Sequence, residues 1–293
     1  MRGVALAATL LGSAHSTGAQ EVTWTGSLEL TSGDYLFTER TTTFYLLNGL
    51  DARLGAFRIG VSLPLVMQDN PVVARVGPIP LPTGGEQHGE LRGRGGGGGS
   101  GSGSSANRLP VDGAQSQGED PIEIESGSYD LYIADPLLRL GLDLQPSSGP
   151  LRSVYLGASA KPPLKSVNSG VGTGAWDAGG GIGLTFVAGR LLFLLDATYW
   201  ILGDLPELEL KNALMYGAAV GSIFGDGPWG WSISLLGSTE IIEGVDPPVS
   251  LGANVLLTPS SGRSLRVGLR VGLTEAASDI GASLGWSLPV AGH

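Results

Sequence analysis

The segment Val171–Val187 reads VGTGAWDAGGGIGLTFV, and from Trp176 onward its residues alternate between two kinds. The members of one set are apolar or small: Trp176, Ala178, Gly180, Ile182, Leu184 and Phe186. Those of the other set are small or polar, with one acid: Asp177, Gly179, Gly181, Gly183 and Thr185. Because successive side chains of a β-strand point to opposite faces, this period of two predicts a strand with one apolar face.

The same period recurs along most of the chain and predicts twelve strands, with a turn at Asp51-Ala52-Arg53 after the second. In order they are Val22–Leu30, Thr42–Leu50, Phe57–Leu65, Tyr129–Leu144, Ser153–Lys161, Trp176–Val187, Leu191–Ile201, about Glu207–Ile223, Trp229–Leu235, Val249–Leu257, Leu265–Gly272 and Ile280–Leu288. Each strand keeps one face apolar and nearly free of charge.

Composition narrows the class of protein. The 293 residues include 49 Gly, 18 Pro and only 15% charged residues, against about 25% in soluble domains. A net charge of -10 argues against a nucleic-acid partner, because phosphate binding requires a clustered basic face. The absence of cysteine excludes disulfides and thiolate metal sites.

Two segments stand apart from the strands. Residues 1–19 have a positive charge at Arg2, a short apolar core and small residues before Gln20, which predicts an export signal and leaves residues 20–293 as one domain. Residues 68–127 contain the Gly/Ser-rich tract Gly93–Ser105 and many prolines, which predicts one long loop, largely disordered in the Gly/Ser part.

An even number of strands, with tight and long connections in alternation, favours an all-β, transmembrane antiparallel β-barrel with long external loops over a soluble sandwich. In lipid no water satisfies the backbone, so strands cross a membrane only if their sheet closes on itself. The apolar faces must then point outward to lipid, and the polar faces inward.

The inward faces supply the candidate functional residues. They carry Glu29, Arg58, Asp135, Arg139, Asp143, Lys161, Asp177, Asp196, Glu207, Glu209, Lys211, Asn254, Arg266 and Arg270. Charges of both signs serve equally to line a wet pore or to pair across the interior. Lys161 and Asp177 flank one external loop, where they either pair with each other or contact a solute.

The residues of hydrolytic and phosphate-binding sites are missing from the predicted strands. His15, His88 and His293 all lie outside them, so a serine hydrolase has no evident base. The loop Gly170–Gly174 precedes a strand rather than a helix and does not form a phosphate site. We expect neither a cofactor nor a resident metal, and a lipid-modifying enzyme is the weaker alternative.

Four motifs resemble a family of outer-membrane transporters associated with the meta-pathway of phenol degradation. They are Tyr129–Tyr132 before a leucine-rich strand, Gly157–Pro163, Gly172–Gly179, and Gly272–Gly281 near the end. The resemblance implies a barrel in the bacterial outer membrane that passes small hydrophobic or aromatic compounds. Its expected partners are the lipid bilayer, the solute and the barrel-assembly machinery. The alternative is a structural or surface-interaction barrel whose long loop binds a partner.

Overall fold

The computed structural model describes residues 21–35, 40–69, 73–76, 79–83, 130–164, 174–204, 209–223, 227–259 and 262–291. They form the strands β1 (Glu21–Gly33), β2 (Thr41–Leu54), β3 (Phe57–Gln68), β4 (Val73–Val76), β5 (Ile79–Pro82), β6 (Asp130–Ile133), β7 (Leu137–Leu144), β8 (Leu151–Lys161), β9 (Asp177–Ala188), β10 (Leu191–Ile201), β11 (Ala213–Ile223), β12 (Trp229–Ser238), β13 (Val249–Leu257), β14 (Ser264–Gly272) and β15 (Ile280–Ala291). None of the described residues belongs to a helix long and apolar enough to cross a membrane.

The main sheet closes on itself. Strand β1 pairs with both β2 and β15, and the remaining strands follow from β3 through β7 to β14, each antiparallel to its neighbours. Strands β6 and β7 pair with successive parts of β3 and therefore form one crossing. The barrel thus has twelve strands, as the sequence predicts.

The apolar faces of the strands point outward, as predicted. On β14 every second side chain is an exposed hydrophobic one, namely Leu265, Val267, Leu269 and Val271. On β3 the exposed set is Phe57, Ile59, Val61 and Leu63, whereas Gly60 and Ser62 between them are buried. An apolar belt exposed all around a closed sheet is the surface that lipid tails require.

The barrel has two different ends. The connections after β2, β7, β9, β11 and β13 are short, and the ends of β1 and β15 lie beside them; we call this the short-turn end. The connections after β1, β3, β8, β10, β12 and β14 meet at the opposite, long-loop end. In outer-membrane barrels short turns face the periplasm and long loops face outward.

Three predicted boundaries were wrong. Strand β2 continues past Asp51, and the turn is Gly55-Ala56, where Gly55 has a φ of +63° that favours glycine. The fourth crossing breaks at Ala134–Pro136, because proline has no N–H for the ladder. Strand β11 begins at Ala213 rather than near Glu207, which lies outside the described residues.

Side-chain hydrogen bonds explain the late start of β11. The amide of Leu202 donates to Asn212 Oδ1 at 3.0 Å, and the amide of Leu210 donates to Asp204 Oδ1 at 2.9 Å. These backbone donors are therefore engaged within the connection between β10 and β11 instead of in the strand ladder.

The segment predicted as one long loop contains structure in its described part. Strands β4 and β5 form a two-stranded hairpin that is separate from the barrel sheet. Ala74 and Leu81 of the hairpin, and Thr83 directly after it, are each only 1% exposed. The tract Gly93–Ser105 and the predicted export signal lie outside the described residues.

Candidate functional site

The barrel interior has one wall rich in charge, formed by β14, β15, β1, β2, β3 and β7, which we call the charged wall. Arg58 on β3 forms a close ion pair with Asp143 on β7, and the side chain of Asp143 is only 2% exposed. The two strands pair directly, so the charges meet across one sheet contact. A buried carboxylate of this kind depends on its cationic partner.

A second pair on the charged wall links β2 to β7. Arg139 Nη2 lies 3.1 Å from Asp51 Oδ1 and 3.2 Å from Oδ2, and its Nη1 donates to Ser62 Oγ at 3.1 Å. Asp51 also accepts a hydrogen bond from Thr25 Oγ1 at 2.8 Å. This network joins four strands, β1, β2, β3 and β7. It leaves no room for a side chain at Gly60, where an added Cβ would strike both Asp51 and Arg139.

A third pair spans the strands on either side of β15. Arg270 Nη1 on β14 donates to Glu29 Oε1 on β1 at 2.8 Å. The pair crosses β15 near Gly281, whose lack of a side chain leaves room for it. Arg266 lies on the same face of β14, half-buried and four residues toward the short-turn end. Arg58, Arg139 and Arg270 each expose 18% of their side chain, so their pairs lie within the barrel.

The opposite wall is formed by β9 to β13 and carries mostly Gly, Ala, Ser and Thr on its inner face; we call it the small-residue wall. Asn254 on β13 donates to Ser232 Oγ on β12 at 3.4 Å. Asp196, at the middle of β10, is flanked in register by Gly183 and Gly217. Its carboxylate lies where a Cβ on Gly217 would stand, and it makes no ion pair with any described residue.

At the long-loop end, one lysine and two aspartate side chains are almost fully buried together. Lys161 Nζ, at the end of β8, lies 2.8 Å from Asp177 Oδ2 and 3.4 Å from Asp135 Oδ2. Their side-chain exposures are 6%, 0% and 2% in that order. The contact to Asp177 is an ion pair by distance, without the alignment of a hydrogen bond. Of the two sequence-based alternatives for Lys161 and Asp177, the structure shows pairing.

The same carboxylates also hold two loops. The amide of Leu164 donates to Asp135 Oδ1 at 2.6 Å, which fixes the start of the connection after β8. The amide of Gly203 donates to Asp177 Oδ1 at 3.0 Å, which fixes the start of the connection after β10. The buried ionic cluster therefore ties β6–β7, β8, β9 and two external loops into one unit.

Beside this cluster the long-loop end holds an apolar cluster inside the barrel, which we call the mouth cluster. Trp200 and Met215 reach it from the inner faces of β10 and β11, and Leu81 reaches it from the β4–β5 hairpin. Its other buried members come from the connections after β10, β12 and β14 and from the start of β11, namely Leu202, Leu210, Ala213, Ile241, Ile242, Val245 and Ala276. Side chains from four loops thus meet over the strand ends.

Lys211 is not an inner-face residue, which corrects the sequence-based prediction. It precedes β11, its side chain is 43% exposed, and its Nζ lies 3.1 Å from Glu240 Oε2 in the loop between β12 and β13. Glu240 also accepts a hydrogen bond from the amide of Gly244 at 2.8 Å. The Gly244 amide, and after it Lys211, hold the pKa of the Glu240 carboxyl below its usual value.

Sequence reasoning missed two features of the interior. Asp51 was assigned to a turn, although continuing the alternation of β2 by a few residues would have placed it on the inner face. The mouth cluster was missed because six of its ten buried members lie in connections that have no strand period. Only the apolar pair Ile241-Ile242, unusual in an exposed loop, signals it in the sequence.

The sequence matches no protein-family model and no curated protein. Three solved structures share the barrel architecture to different degrees. An outer-membrane channel from Pseudomonas putida F1 has a TM-score of 0.60 and 10% identity, covering 95% of this chain and 97% of that one. The KdgM porin has a TM-score of 0.47 and 6% identity, covering 91% and 98%. The CymD monoaromatic hydrocarbon channel has a TM-score of 0.45 and 10% identity, covering 98% and 92%.

The closed sheet and its outward apolar belt define the class: this is a β-barrel of the bacterial outer membrane. The likeness to the Pseudomonas putida channel supports the same fold over nearly the whole of both chains.

Proposed function

We propose that the barrel is a passive channel for small hydrophobic or aromatic solutes, and that it is not an enzyme. The mouth cluster carries this proposal. Trp200, Met215, Ile241 and Ile242 lie inside the barrel at the long-loop end and are at most 4% exposed, so buried apolar side chains fill this end of the interior. A solute that passes this end must move between these side chains, and apolar surroundings with few polar groups favour an apolar molecule.

The pairing of interior charges supports an apolar rather than an ionic solute. Arg58, Arg139 and Arg270 each contact a carboxylate, so they contribute little free charge to attract an ion. The small-residue wall carries mostly short, uncharged side chains on its inner face, so it also offers little charge to an ion. The resemblance to transporters of the phenol meta-pathway points to aromatic compounds. Export by residues 1–19 and insertion by the barrel-assembly machinery belong to the same proposal.

The two faces of β10 allow a matched test. Trp200 is 1% exposed in the mouth cluster, whereas the adjacent Tyr199 is 51% exposed on the outer face. We expect Trp200→Ala to change the uptake of the hydrophobic probe N-phenylnaphthylamine by cells severalfold, and Tyr199→Ala to leave it unchanged. Folding of each variant is checked by its heat-modifiable mobility on a gel. Equal uptake by the wild type, both variants and cells lacking the barrel would contradict the proposal.

The extent of charge pairing also favours a second candidate, a structural or surface-interaction barrel. Three ion pairs cross the charged wall, as expected of an interior that is filled rather than open. Deletion of Gly93–Ser105 separates the two candidates. A deletion that abolishes binding to a partner but leaves probe uptake intact favours the structural role, and one that alters uptake alone favours the channel.

A further inference from the structure

Two exposed arginines lie at the short-turn end, one on β8 and one in the turn after β9, the strand that pairs with β8. Arg152 is the second residue of β8, and Arg190 lies in the turn between β9 and β10. Both side chains are exposed, and neither guanidinium makes a hydrogen bond or an ion pair with a described residue. Unpaired arginines contrast with those of the charged wall, which have carboxylate partners.

Both arginines lie where the backbone departs from the regular strand ladder. In the pairing of β8 with β9, Leu151 lies opposite Phe186 and Ser153 opposite Thr185, so Arg152 is the extra residue of a bulge. Bulges re-aim a side chain and are common at barrel rims. The turn that contains Arg190 is also held in place, because Ser222 Oγ donates a hydrogen bond to the Arg190 carbonyl at 2.7 Å.

An aromatic pair lies directly beneath these arginines on the outer face. Phe186 on β9 and Phe193 on β10 are opposite each other in register, and Phe193 is 39% exposed. The start of β8 is held beside them by a hydrogen bond from the Val187 amide to the Pro150 carbonyl at 2.8 Å. Exposed aromatics at strand ends mark the level of lipid headgroups in barrels, and Trp229, the first residue of β12, is another exposed aromatic at this end.

A molecule that contacts all four residues needs an anion at the rim and hydrocarbon along the strands. Guanidinium groups bind phosphate oxygens with two donors each, and the phenylalanine pair faces the acyl region. From this arrangement we propose that Arg152, Phe186, Arg190 and Phe193 form a binding site for an anionic phospholipid of the leaflet at the short-turn end. We call these four residues the lipid patch.

The wild-type protein tests the patch directly. Folded protein in a neutral detergent is mixed with equal amounts of dioleoyl phosphatidylglycerol and dioleoyl phosphatidylcholine, and native mass spectrometry measures which lipid is retained. Each of the two arginines is expected to attract an anionic headgroup. Together they predict that phosphatidylglycerol is retained roughly tenfold or more in preference to phosphatidylcholine. Equal retention of the two lipids would overturn the proposal, whatever the variants do.

A pair of double variants places the site. Arg152→Gln with Arg190→Gln is expected to abolish the preference. Arg40→Gln with Lys211→Gln removes the same charge at the long-loop end, where both residues pair with acids, and is expected to keep it. A preference lost equally in both variants would mean that net charge alone governs retention, which contradicts the patch. Heat-modifiable mobility confirms folding, and if the first double variant does not fold, its two single variants take its place with a smaller expected loss.

Discussion

The two walls of the barrel interior solve the same packing problem in different ways. The charged wall fills its space with long arginine side chains that meet carboxylates on neighbouring strands, as Arg58 meets Asp143. The small-residue wall instead packs neighbouring side chains against its glycines, as Trp200 packs against Gly179. On the described inner faces of β10 to β13 the one charged residue is Asp196, which makes no ion pair with a described residue. Under the proposed function, the charged wall supports the barrel and the small-residue wall adjoins the path of a solute.

The largest expected effect comes from removing one partner on the charged wall. Arg58→Met leaves Asp143 buried without its cation, and breaking such a pair costs about 3–5 kcal/mol of stability. Urea unfolding in lipid vesicles measures the loss. The double variant Arg58→Met with Asp143→Leu should recover most of it, because replacing both partners removes the uncompensated charge. A single variant as stable as the wild type would show that the charged wall is not structural.

On the small-residue wall the sensitive groups are glycines rather than charges. A Cβ at Gly181 would overlap the carbonyl of Ala197 and the side chain of Thr198, so Gly181→Val should destabilise the barrel by about 1–3 kcal/mol. The neighbouring Gly180 faces outward and meets its nearest atom, the Gly157 carbonyl, at 3.9 Å. Gly180→Val is therefore the matched control, and its unfolding midpoint in the same urea series should equal that of the wild type.

Asp196→Asn removes one charge from the small-residue wall, just as Arg58→Met removes one from the charged wall. Since Asp196 has no cationic partner among the described residues, stability should change by less than about 1 kcal/mol. If a solute path adjoins this wall, the ratio of cation to anion permeability in planar bilayers should fall. A large loss of stability would mean that Asp196 holds the wall together, contrary to the comparison.

The smallest effect is expected outside both walls, in the exposed loop after β12. The folded-state pKa of Glu240 is lowered below its usual 4.5 by the Gly244 amide and then by Lys211. This stabilisation is therefore complete above the unfolded-state pKa and is lost as the pH falls through the lower, folded-state value. The protection factor of the Gly244 amide against hydrogen exchange should fall in the wild type as the pH falls through the folded-state pKa of Glu240, and Glu240→Gln should remove that pH dependence.

The candidate site could be predicted only in part from the sequence. Arg58, Asp143, Arg139 and Arg270 lie on the predicted inner faces, because the face of a residue in a strand follows from its position alone. Lys211 was misplaced, because the apolar alternation of the sequence continues into the connection before β11. The side chains of Asn212 and Asp204 accept hydrogen bonds from backbone amides in that connection. The predicted role of the inner-face residues in solute passage remains a prediction.

The sequence by itself determined the class of fold, since a period of two, repeated twelve times with one uncharged face, is compatible with few structures other than a lipid-embedded barrel. Tertiary structure decided which groups meet. Arg270 and Glu29 are separated by 241 positions, and only closure of the sheet brings them together. The mouth cluster likewise depends on four loops folding over one end, because loop residues carry no periodic signal to show their direction. Strand periodicity is a local property of the backbone, whereas pairing across the barrel depends on register and closure.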